Sequence, residues 1–501
     1  MSEIDNTGSW REVLDDLDLL RAASRAMGGE ERLRKQRNAG KLDARARIGH
    51  LLDPGTFMEI GTLVGGADAP ADAVIIGSGT IEGRPVMVAA EDFTVLAGTI
   101  SSAANAKRYR VAELAVTDRV PLVMMLEGAG FRADGKEYGR SPTDLLAQAR
   151  CSGRVPLVTA VLGASAGHGA LVAPISDFTV MSAHASIFTA GPPVVRESLG
   201  EEITKEDLGG PKVAVASGLV HNVAPDDASA LDMARTYLRY FPSSAWSYPM
   251  NVGNGDDDFR LVPELLDVIP RNGRRVYDMH EVIELVFDEG SCFEVQPGFG
   301  QSLICTLARL GGHPVAVVAN QPLFLAGSLD SDGADKASHF ITVADSFHLP
   351  LIFLADNPGV MPGSHSEQQG ILRSGARMFA AQTQARVPKL TVTIRKAYGF
   401  GSMVMGMIPF DGQSATFTFP GATMGAMGSA AMSRARGSDI EEAARLRQLE
   451  VEASYRMAQS FGQDELISPV ETRNRLLRSL ERALYRRQAT PEPAARIAIV
   501  P

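Results

Sequence analysis

Cysteine is scarce in this chain of 501 residues, which contains only three. Cys151, Cys292 and Cys305 are too few and too poorly spaced for a four-ligand zinc site or a disulfide framework. We therefore expect reduced thiols packed inside the protein and no metal ion bound by this chain.

Positive charge is also in deficit, because 49 Lys and Arg residues stand against 59 Asp and Glu residues. The formal net charge of −10 argues against broad attraction to nucleic acid or to an anionic membrane surface. A local basic patch for a phosphorylated ligand is still compatible with this balance. We expect neither nucleic acid nor membrane among the partners.

The first residues, 1–5, are acidic and lack the apolar stretch of a secretion signal, so we expect a cytoplasmic location. One run, residues 155–175, carries no charge unless His168 is protonated, and it has the length of a membrane span. Its three glycines and its position inside the repeat described next instead favour a buried strand, a turn and a helix.

The chain contains an internal duplication. Gly-Arg-Pro-Val at 83–86 returns as Gly-His-Pro-Val at 312–315, a register of 229 residues. The register shifts to 232 where Gly-His-Gly at 167–169 meets Gly-Phe-Gly at 399–401. This period is far longer than the roughly 20–50 residues of a solenoid repeat, so each copy should be a domain with its own core.

Short apolar runs alternate with Ala-rich helical stretches over residues 57–240, and residues 262–432 repeat the pattern. The alternation predicts α/β domains with mostly parallel strands that are covered on both faces. A polar, turn-rich segment at 243–258 is the natural linker. We predict two tandem domains, residues 1–250 and residues 259–501.

Each copy presents two glycine-rich turns directly after a predicted buried strand, at 127–130 and 163–169 in the first copy and at 356–359 and 398–401 in the second. Backbone N–H groups in such turns, at the head of a helix, stabilise an oxyanion or a phosphate. Close packing of helix on strand is the alternative explanation for any single turn. The P-loop, dinucleotide and Gly-x-Ser-x-Gly patterns are missing from these turns, which leaves chemistry by backbone dipoles.

Further motifs follow along the chain: Asp-Phe-Thr-Val at 92–95, Thr-Ala-Gly-Pro-Pro-Val-Val at 189–195, Asn-Gln-Pro at 320–322, Asp-Asn-Pro-Gly at 356–359 and Arg-Lys-Ala-Tyr-Gly at 395–399. In these motifs and in the glycine turns the chain resembles the carboxyltransferase (β) subunits of biotin-dependent acyl-CoA carboxylases, such as those acting on propionyl-, acetyl- or methylcrotonyl-CoA. The resemblance covers nearly the whole chain and implies an α/β fold of two tandem crotonase-like domains.

The resemblance implies transfer of CO2 from carboxybiotin on a partner subunit to the α carbon, or the vinylogous γ carbon, of an acyl-CoA. N1 of the biotin ring would help to remove the α-proton after CO2 release, and the enolate would attack CO2. One oxyanion hole would hold the enolate oxygen of the thioester in the first domain, and another would hold the biotin ureido oxygen in the second. The N–H groups would come from Gly167, His168 and Gly169, and from Phe400 and Gly401.

The resemblance also implies ligand contacts at further positions. We predict acyl-CoA contacts from Ala97, Gly98, Lys107, Gly128, Ala129, Gly130 and Arg132, with Arg132 either structural or facing the CoA phosphate. We predict biotin or acyl-pocket contacts from Asn357, Pro358, Gly359, Tyr398, Gly399 and Met403. The flexible apolar side chain of Met403, at the position of the family's acyl-length residue, suggests an apolar acyl tail.

The chain departs from the family at two matching places. Ala-Gly-His-Gly at 166–169 stands where relatives usually have Ala-Gly-Gly-Ala, and Tyr-Gly-Phe-Gly at 398–401 stands where many have Tyr-Gly-Gly-Ala. The N–H groups survive either change, but a side chain enters each pocket. Three roles are open for His168: a wall of the acyl pocket, a packed histidine at a helix start, or an acid–base group.

The sequence has no Met-Lys-Met biotinylation site and no ATP-grasp portion. The resemblance therefore implies a separate biotinylated α subunit, which carries the ATP and bicarbonate chemistry, and a homohexamer built as a trimer of dimers. Three other functions stay open: a decarboxylase subunit coupled to a sodium pump, a biotin-free crotonase-type hydratase or hydrolase with His168 or Glu127 as base, and a silent paralogue that scaffolds a mixed complex.

Overall fold

The computed structural model describes residues 9–132, 143–253, 259–406, 408–410, 412–487 and 490–494. The chain divides into two compact units, Met1–Tyr237 and Leu238–Pro501. Each unit has its own sheet and its own apolar core.

The first unit is an α/β structure. Its strands are β1 (Met58–Ile60), β2 (Val74–Ile81), β3 (Arg84–Glu91), β4 (Leu122–Gly128), β5 (Leu157–Ala166), β6 (Phe178–Ser182), β7 (Ser186–Phe188) and β8 (Asn222–Ala224). Its helices are α1 (Trp10–Arg25), α2 (Glu30–Asn38), α3 (Ala44–Leu51), α4 (Ser102–Asp118), α5 (Asp144–Ala149), α6 (Pro192–Leu199), α7 (Lys205–Gly209), α8 (Pro211–Ala216) and α9 (Asp227–Leu238).

These strands form one sheet in the order β1-β2-β3-β4-β5-β6-β8, and β7 pairs with the end of β5. The pairs β1–β2 and β2–β3 are antiparallel, and the pairs from β3 to β8 are parallel. β4 is buried along its whole length, as expected for a parallel strand covered on both faces. The carboxyl ends of β4 and β5 therefore lie side by side, and the predicted glycine turns follow there.

The uncharged run at 155–175 forms β5 and then a 3-10 helical segment, Gly167–Ile175, rather than a single long helix. Within the part of the chain that the structure describes, no helix is both long enough and apolar enough to cross a membrane.

The second unit repeats this architecture. Its strands are β9 (Phe293–Val295), β10 (Leu303–Leu310), β11 (His313–Asn320), β12 (Leu351–Asn357), β13 (Lys389–Tyr398), β14 (Gln413–Thr418), β15 (Thr423–Gly425) and β16 (Glu465–Leu466). Its helices are α10 (Leu265–Val268), α11 (Met279–Val286), α12 (Ser331–Ser346), α13 (Ser364–Gln368), α14 (Ile371–Gln384), α15 (Gly399–Val404), α16 (Ser429–Arg436), α17 (Ile440–Val451), α18 (Ala453–Gln459) and α19 (Thr472–Leu484). The sheet order, β16-β14-β13-β12-β11-β10-β9 with β15 on β13, matches the first sheet strand for strand.

The duplication extends to the backbone conformation. Residues 96–97 have φ values of 48° and 54°, and residues 325–326, one register of 229 later, have the same two values. Ile100 N donates to Gly130 O at 2.8 Å, and the equivalent Leu329 N donates to Gly359 O at 3.0 Å. The predicted α/β class and internal duplication are confirmed.

The residues around the start of the predicted linker pack within the second unit. Tyr240 Oη donates to Ser291 O at 2.5 Å, and His348 Nε2 lies 2.7 Å from Ala245 O. Residues 254–258 of the linker lie outside the described residues. The predicted domain limits, 1–250 and 259–501, stay a prediction about where the chain can be divided.

Candidate active site

The first glycine turn, residues 167–169, opens the 3-10 segment that follows β5. Ala166 is the N-cap residue of this segment, and its side chain cannot accept a hydrogen bond. The first N–H groups of the segment are therefore not capped by a side chain. Gly167 has φ 57°, in the left-handed region that favours glycine. At Gly169 a Cβ would lie 3.0 Å from Glu91 Oε1, so a side chain there would push into a buried carboxylate.

The predicted acyl-CoA residues around the end of β4 meet the first glycine turn. Ala129 N donates to Ala97 O at 3.0 Å, which ties the segment with Gly98 to the turn with Gly128. A Cβ on Gly130 would lie 3.0 Å from Ala166 O, directly before the first glycine turn. The structure thus brings these five predicted residues, Ala97, Gly98, Gly128, Ala129 and Gly130, next to the predicted oxyanion donors.

Lys107 and Arg132 bind groups of the first unit itself. Lys107 is buried, and its Nζ donates to Ala71 O at 2.8 Å and to Val74 O at 2.5 Å. Burial lowers the pKa of Lys107 to about 8, against the opposing charges of two nearby carboxylates. Arg132 Nη1 lies 2.6 Å from Asp72 Oδ1, which gives Arg132 the structural contact that the sequence left as one of two alternatives. Contact of either residue with acyl-CoA stays a prediction.

His168 is held by a carboxylate that the sequence did not suggest. Its Nε2 hydrogen-bonds Asp144 Oδ1, at the first residue of α5. Asp144 is completely buried, whereas 28% of the His168 side chain is exposed. The histidine thus reaches from the first glycine turn to the start of α5 and still meets solvent.

A buried ion network fixes Asp144. Arg108 Nε lies 2.5 Å from Asp144 Oδ2, and Arg108 Nη1 lies 2.5 Å from Glu91 Oε1. Burial alone would raise the pKa of Asp144, but the hydrogen bond from His168 and the charge of Arg108 hold it well below its usual range. Burial raises the pKa of Glu91, although Arg108 opposes that shift. Asp144 is therefore a stable anion beside His168.

Glu127, the other candidate base, is fully occupied. Its Oε1 accepts from Lys41 Nζ at 2.7 Å, and its Oε2 lies 2.7 Å from both Gln36 Nε2 and Arg47 Nη2. Glu127 is only 1% exposed. Both carboxylate oxygens already accept hydrogen bonds or ion pairs from these three side chains, so the structure favours a structural role for Glu127.

The second glycine turn, residues 399–401, opens α15 in the second unit, also without a side-chain cap. Gly399 has φ 55°, close to the value at Gly167. Asn357 Nδ2 donates to Gly401 O at 2.9 Å, and Asn357 Oδ1 accepts from Gly359 N at 2.8 Å. The side-chain amide of Asn357 thus joins the turn after β12 to the turn after β13. Pro358 lies between Asn357 and Gly359 in the first of these turns.

Aromatic residues surround the second glycine turn. Phe400 packs on α14, with its ring centre 5.8 Å from that of Phe379. The hydroxyl of Tyr398 is hydrogen-bonded to Glu450 on α17, and burial, with that bond, raises the pKa of Tyr398. Met403 is 48% exposed, so its apolar side chain remains available to a ligand.

A carboxyl transferase domain model matches residues 35–497 of the chain. The chain belongs to the carboxyl transferase domain family. Relatives of this carboxyl transferase include the methylmalonyl-CoA carboxyltransferase 12S subunit of Propionibacterium freudenreichii subsp. shermanii, 35% identical over 93% of each chain. The mitochondrial propionyl-CoA carboxylase beta chain of Mus musculus is 35% identical, over 94% of this chain and 90% of its own length.

A solved structure extends the match to the fold. The transcarboxylase 12S crystal structure, described as a hexamer assembly with methylmalonyl-coenzyme A and methylmalonic acid bound, superposes with a TM-score of 0.90. It is 33% identical and covers 97% of this carboxyl transferase and 98% of its own chain. The predicted family, the duplicated crotonase-like fold and the enzyme class are confirmed.

Sequence reasoning missed the ion network behind His168. Asp144 lies 24 residues before His168 and belongs to no glycine motif, and Arg108 and Glu91 come from other elements. The three residues share one feature, a charged side chain in a segment that packs in the core. The sequence does not show that they contact one another, because the contact depends on how α4 packs against α5.

Proposed function

We propose that this chain is the carboxyltransferase subunit of an acyl-CoA carboxylase and transfers CO2 from carboxybiotin on a partner subunit to an acyl-CoA. The observation that carries the proposal is the pair of uncapped glycine turns, each at the carboxyl end of the same strand in a duplicated fold. An enolate oxygen and a urea oxygen are the two charges that this reaction develops, and two sets of N–H groups match them.

In the first unit the N–H groups of residues 167–169 would hold the thioester oxygen as it becomes an enolate. The ion network beneath the turn is buried and fully paired, so the donors are fixed before the substrate arrives. Removal of one such donor typically lowers the rate by about 10²–10³. The glycines at 98, 128 and 130 would let the acyl-CoA approach the backbone closely.

In the second unit the N–H groups of Phe400 and Gly401 would hold the biotin ureido oxygen. The residues fit such a group, because Asn357 fixes the carbonyl of Gly401 and thereby orients the peptides of the turn. Bound carboxybiotin supplies CO2 and, once CO2 has left, a ring nitrogen that accepts the α-proton. Tyr398 and Met403 would form the walls of this site, and the exposed Met403 favours an apolar acyl tail.

The proposed partner is a biotinylated α subunit, and the proposed assembly is a homohexamer, as the 12S structure is described. Light scattering should give six times the mass of one chain. A stable monomer with full carboxyl transfer activity would contradict the assembly while leaving the reaction intact.

The proposal is tested by purifying the tagged chain from its native cells, with streptavidin detection of biotin and assay of ATP-dependent bicarbonate fixation. The assay uses acetyl-, propionyl-, methylcrotonyl- and long-chain acyl-CoA. We expect one biotinylated chain to co-purify and one acyl-CoA class to be carboxylated preferentially.

Each competing function predicts a different result in that experiment. Sodium-dependent loss of CO2 with a membrane subunit would indicate a decarboxylase, and water addition or thioester hydrolysis without a biotinylated chain would indicate a biotin-free enzyme. Stoichiometric co-purification with a second β-like chain, without activity when alone with the α subunit, would indicate a scaffold.

A further inference from the structure

His168 has the hydrogen-bonding arrangement of a general base. Asp144 is ionised and can only accept a hydrogen bond, so Nε2 of His168 must carry the hydrogen in their contact. In the neutral imidazole the lone pair is then on Nδ1. Among the described residues, the His168 hydrogen bonds all involve Nε2, which leaves Nδ1 able to accept a proton.

That lone pair lies close to the proposed enolate site. Four covalent bonds separate Nδ1 from the peptide nitrogen of the same residue, so the two atoms are at most about 5 Å apart in any rotamer. The N–H of His168 is one of the proposed enolate donors. If that N–H holds the thioester oxygen, the α carbon, one bond from the carbonyl carbon, lies within reach of Nδ1 directly or through one water.

The buried carboxylate of Asp144 can stabilise a positive charge on the imidazole ring of His168. A proton on Nδ1 would produce an imidazolium whose charge faces Asp144, which is anchored by Arg108 and by Gln148 Nε2 at 2.9 Å. The equivalent position in the second unit is Phe400, which packs on Phe379 and has no proton chemistry. Packing against the neighbouring helix therefore requires no histidine.

We propose that His168 is a general base that exchanges the α-proton of bound acyl-CoA with solvent in the absence of biotin. This inference depends on the proposed enolate site in the first unit. The α C–H bond breaks, its proton passes to Nδ1, and its electron pair forms the enolate, whose negative oxygen is held by the N–H groups. Exchange of the imidazolium proton with solvent and return to the carbon complete the cycle, with no co-reactant.

The test measures deuterium uptake at the α carbon of acetyl-, propionyl- and octanoyl-CoA in D2O by mass spectrometry. The enzyme is the full chain alone, without ATP, bicarbonate or a biotinylated protein. We expect exchange with the wild type on at least one probe and a loss of about 100-fold in His168→Gln, since general bases contribute about 10²–10⁴.

The first unit offers a matched control. His184 Nε2 lies 3.0 Å from Asp227 Oδ1, and 30% of its side chain is exposed, but it does not belong to either glycine turn. His184→Gln should therefore exchange as fast as the wild type. In His168→Gly, added imidazole should restore part of the exchange, a rescue that a purely structural histidine would not give.

Exchange by His168→Gln at the wild-type rate, or no exchange by the wild type with any of the three probes, would overturn the inference. Carboxyl transfer with the biotinylated partner is measured in parallel. If transfer persists while exchange is absent, only the role of His168 is wrong. If transfer is absent as well, the proposed function is contradicted.

Discussion

One buried arginine of the first unit holds two carboxylates at once. Arg108 is fully buried and contacts the carboxylates of both Glu91 and Asp144. Buried charges of one sign are tolerated only when an opposite charge and hydrogen bonds compensate for lost hydration. The side chain therefore matters more for stability than any surface pair of the same helix.

We expect Arg108→Ala to lower the free energy of unfolding by about 3–5 kcal/mol, because two carboxylates would stay buried without their cation. Arg110→Ala, two residues along α4, breaks only the exposed contact with Glu113 and should cost at most about 0.5 kcal/mol. Urea unfolding of both variants gives the comparison. Equal losses would contradict the importance of the buried network.

His280 should make the stability depend on pH. The pKa of His280 is raised to about 9, above its ordinary value of 6.5, mainly by the hydrogen bond to Glu294. Burial opposes this shift, and the negative charges of Glu294 and Asp278 add to it. The folded protein thus holds this proton more tightly than the unfolded chain. The resulting stabilisation is fully present below pH 6.5 and is lost as the pH rises to about 9.

The side chain of His280 is 43% exposed, so solvent screening reduces its contribution to about 1 kcal/mol. His280→Gln keeps a polar side chain and removes the charge. Its melting temperature should be lower than that of the wild type at pH 6 and equal to it at pH 10. A constant difference across that range would show that the charge is not responsible.

At the scale of single residues, the sequence could predict which backbone positions form the turns but not which side chains support them. Gly167 and Gly399 are visible as aligned glycines, and both have the left-handed conformation. The partner of His168 is decided by the packing of α5 on α4, a long-range contact without a local signal. Likewise, the sequence around Glu127 does not predict its contacts with Gln36, Lys41 and Arg47, which come from the N-terminal helical region.

The secondary-structure elements were more predictable, since a strand buried on both faces needs a continuous apolar run. Two of the short apolar runs of the first copy, at 121–126 and 157–162, lie within β4 and β5, apart from residue 121. The left-handed pairs at 96–97 and 325–326 could not be predicted, because all four residues are Leu or Ala, and neither residue type usually adopts this conformation. Tertiary contacts, such as Ala129 N to Ala97 O, stabilise the first of them.

Gly401→Ala tests the link between the two turns of the second unit. The new Cβ would lie 2.8 Å from the side-chain amide of Asn357, which would have to move and release Gly401 O or Gly359 N. We expect carboxyl transfer to fall by about 10²-fold with little change in melting temperature.

Gly273→Ala is the control for that substitution, because its Cβ would meet only Lys396 Cε at 3.7 Å, an ordinary contact. It should keep both activity and stability. Activity of Gly401→Ala equal to that of Gly273→Ala would mean that the exact position of the second glycine turn does not limit the reaction.

For the whole molecule, the duplication gives two units with the same fold but different polar side chains in their interiors. The position of Glu91 in the first unit is taken by Asn320 in the second, where its Oδ1 accepts from Asp356 N at 3.2 Å. An uncharged amide there needs no buried arginine, and Ala337 stands at the position of Arg108. The repeat was visible in the sequence, but this divergence acquired a physical meaning only from the contacts.

The chain between the two sheets should belong to the second unit. Phe241 is buried with its ring centre 5.6 Å from that of Phe347, and Tyr240 Oη donates to Ser291 O. A fragment of residues 259–501 lacks both aromatic side chains, and loss of one buried Phe costs about 3–5 kcal/mol. We expect its melting temperature to be roughly 10 °C lower than that of a fragment of residues 238–501.

Differential scanning calorimetry of the two fragments, with the full chain as reference, measures this difference. Equal melting temperatures would contradict the assignment of residues 238–258 to the second unit and support a division at 250/259. If neither fragment unfolds cooperatively while the full chain does, the second core is stable only with the rest of the protein, and the two copies are a structural repeat rather than independent domains.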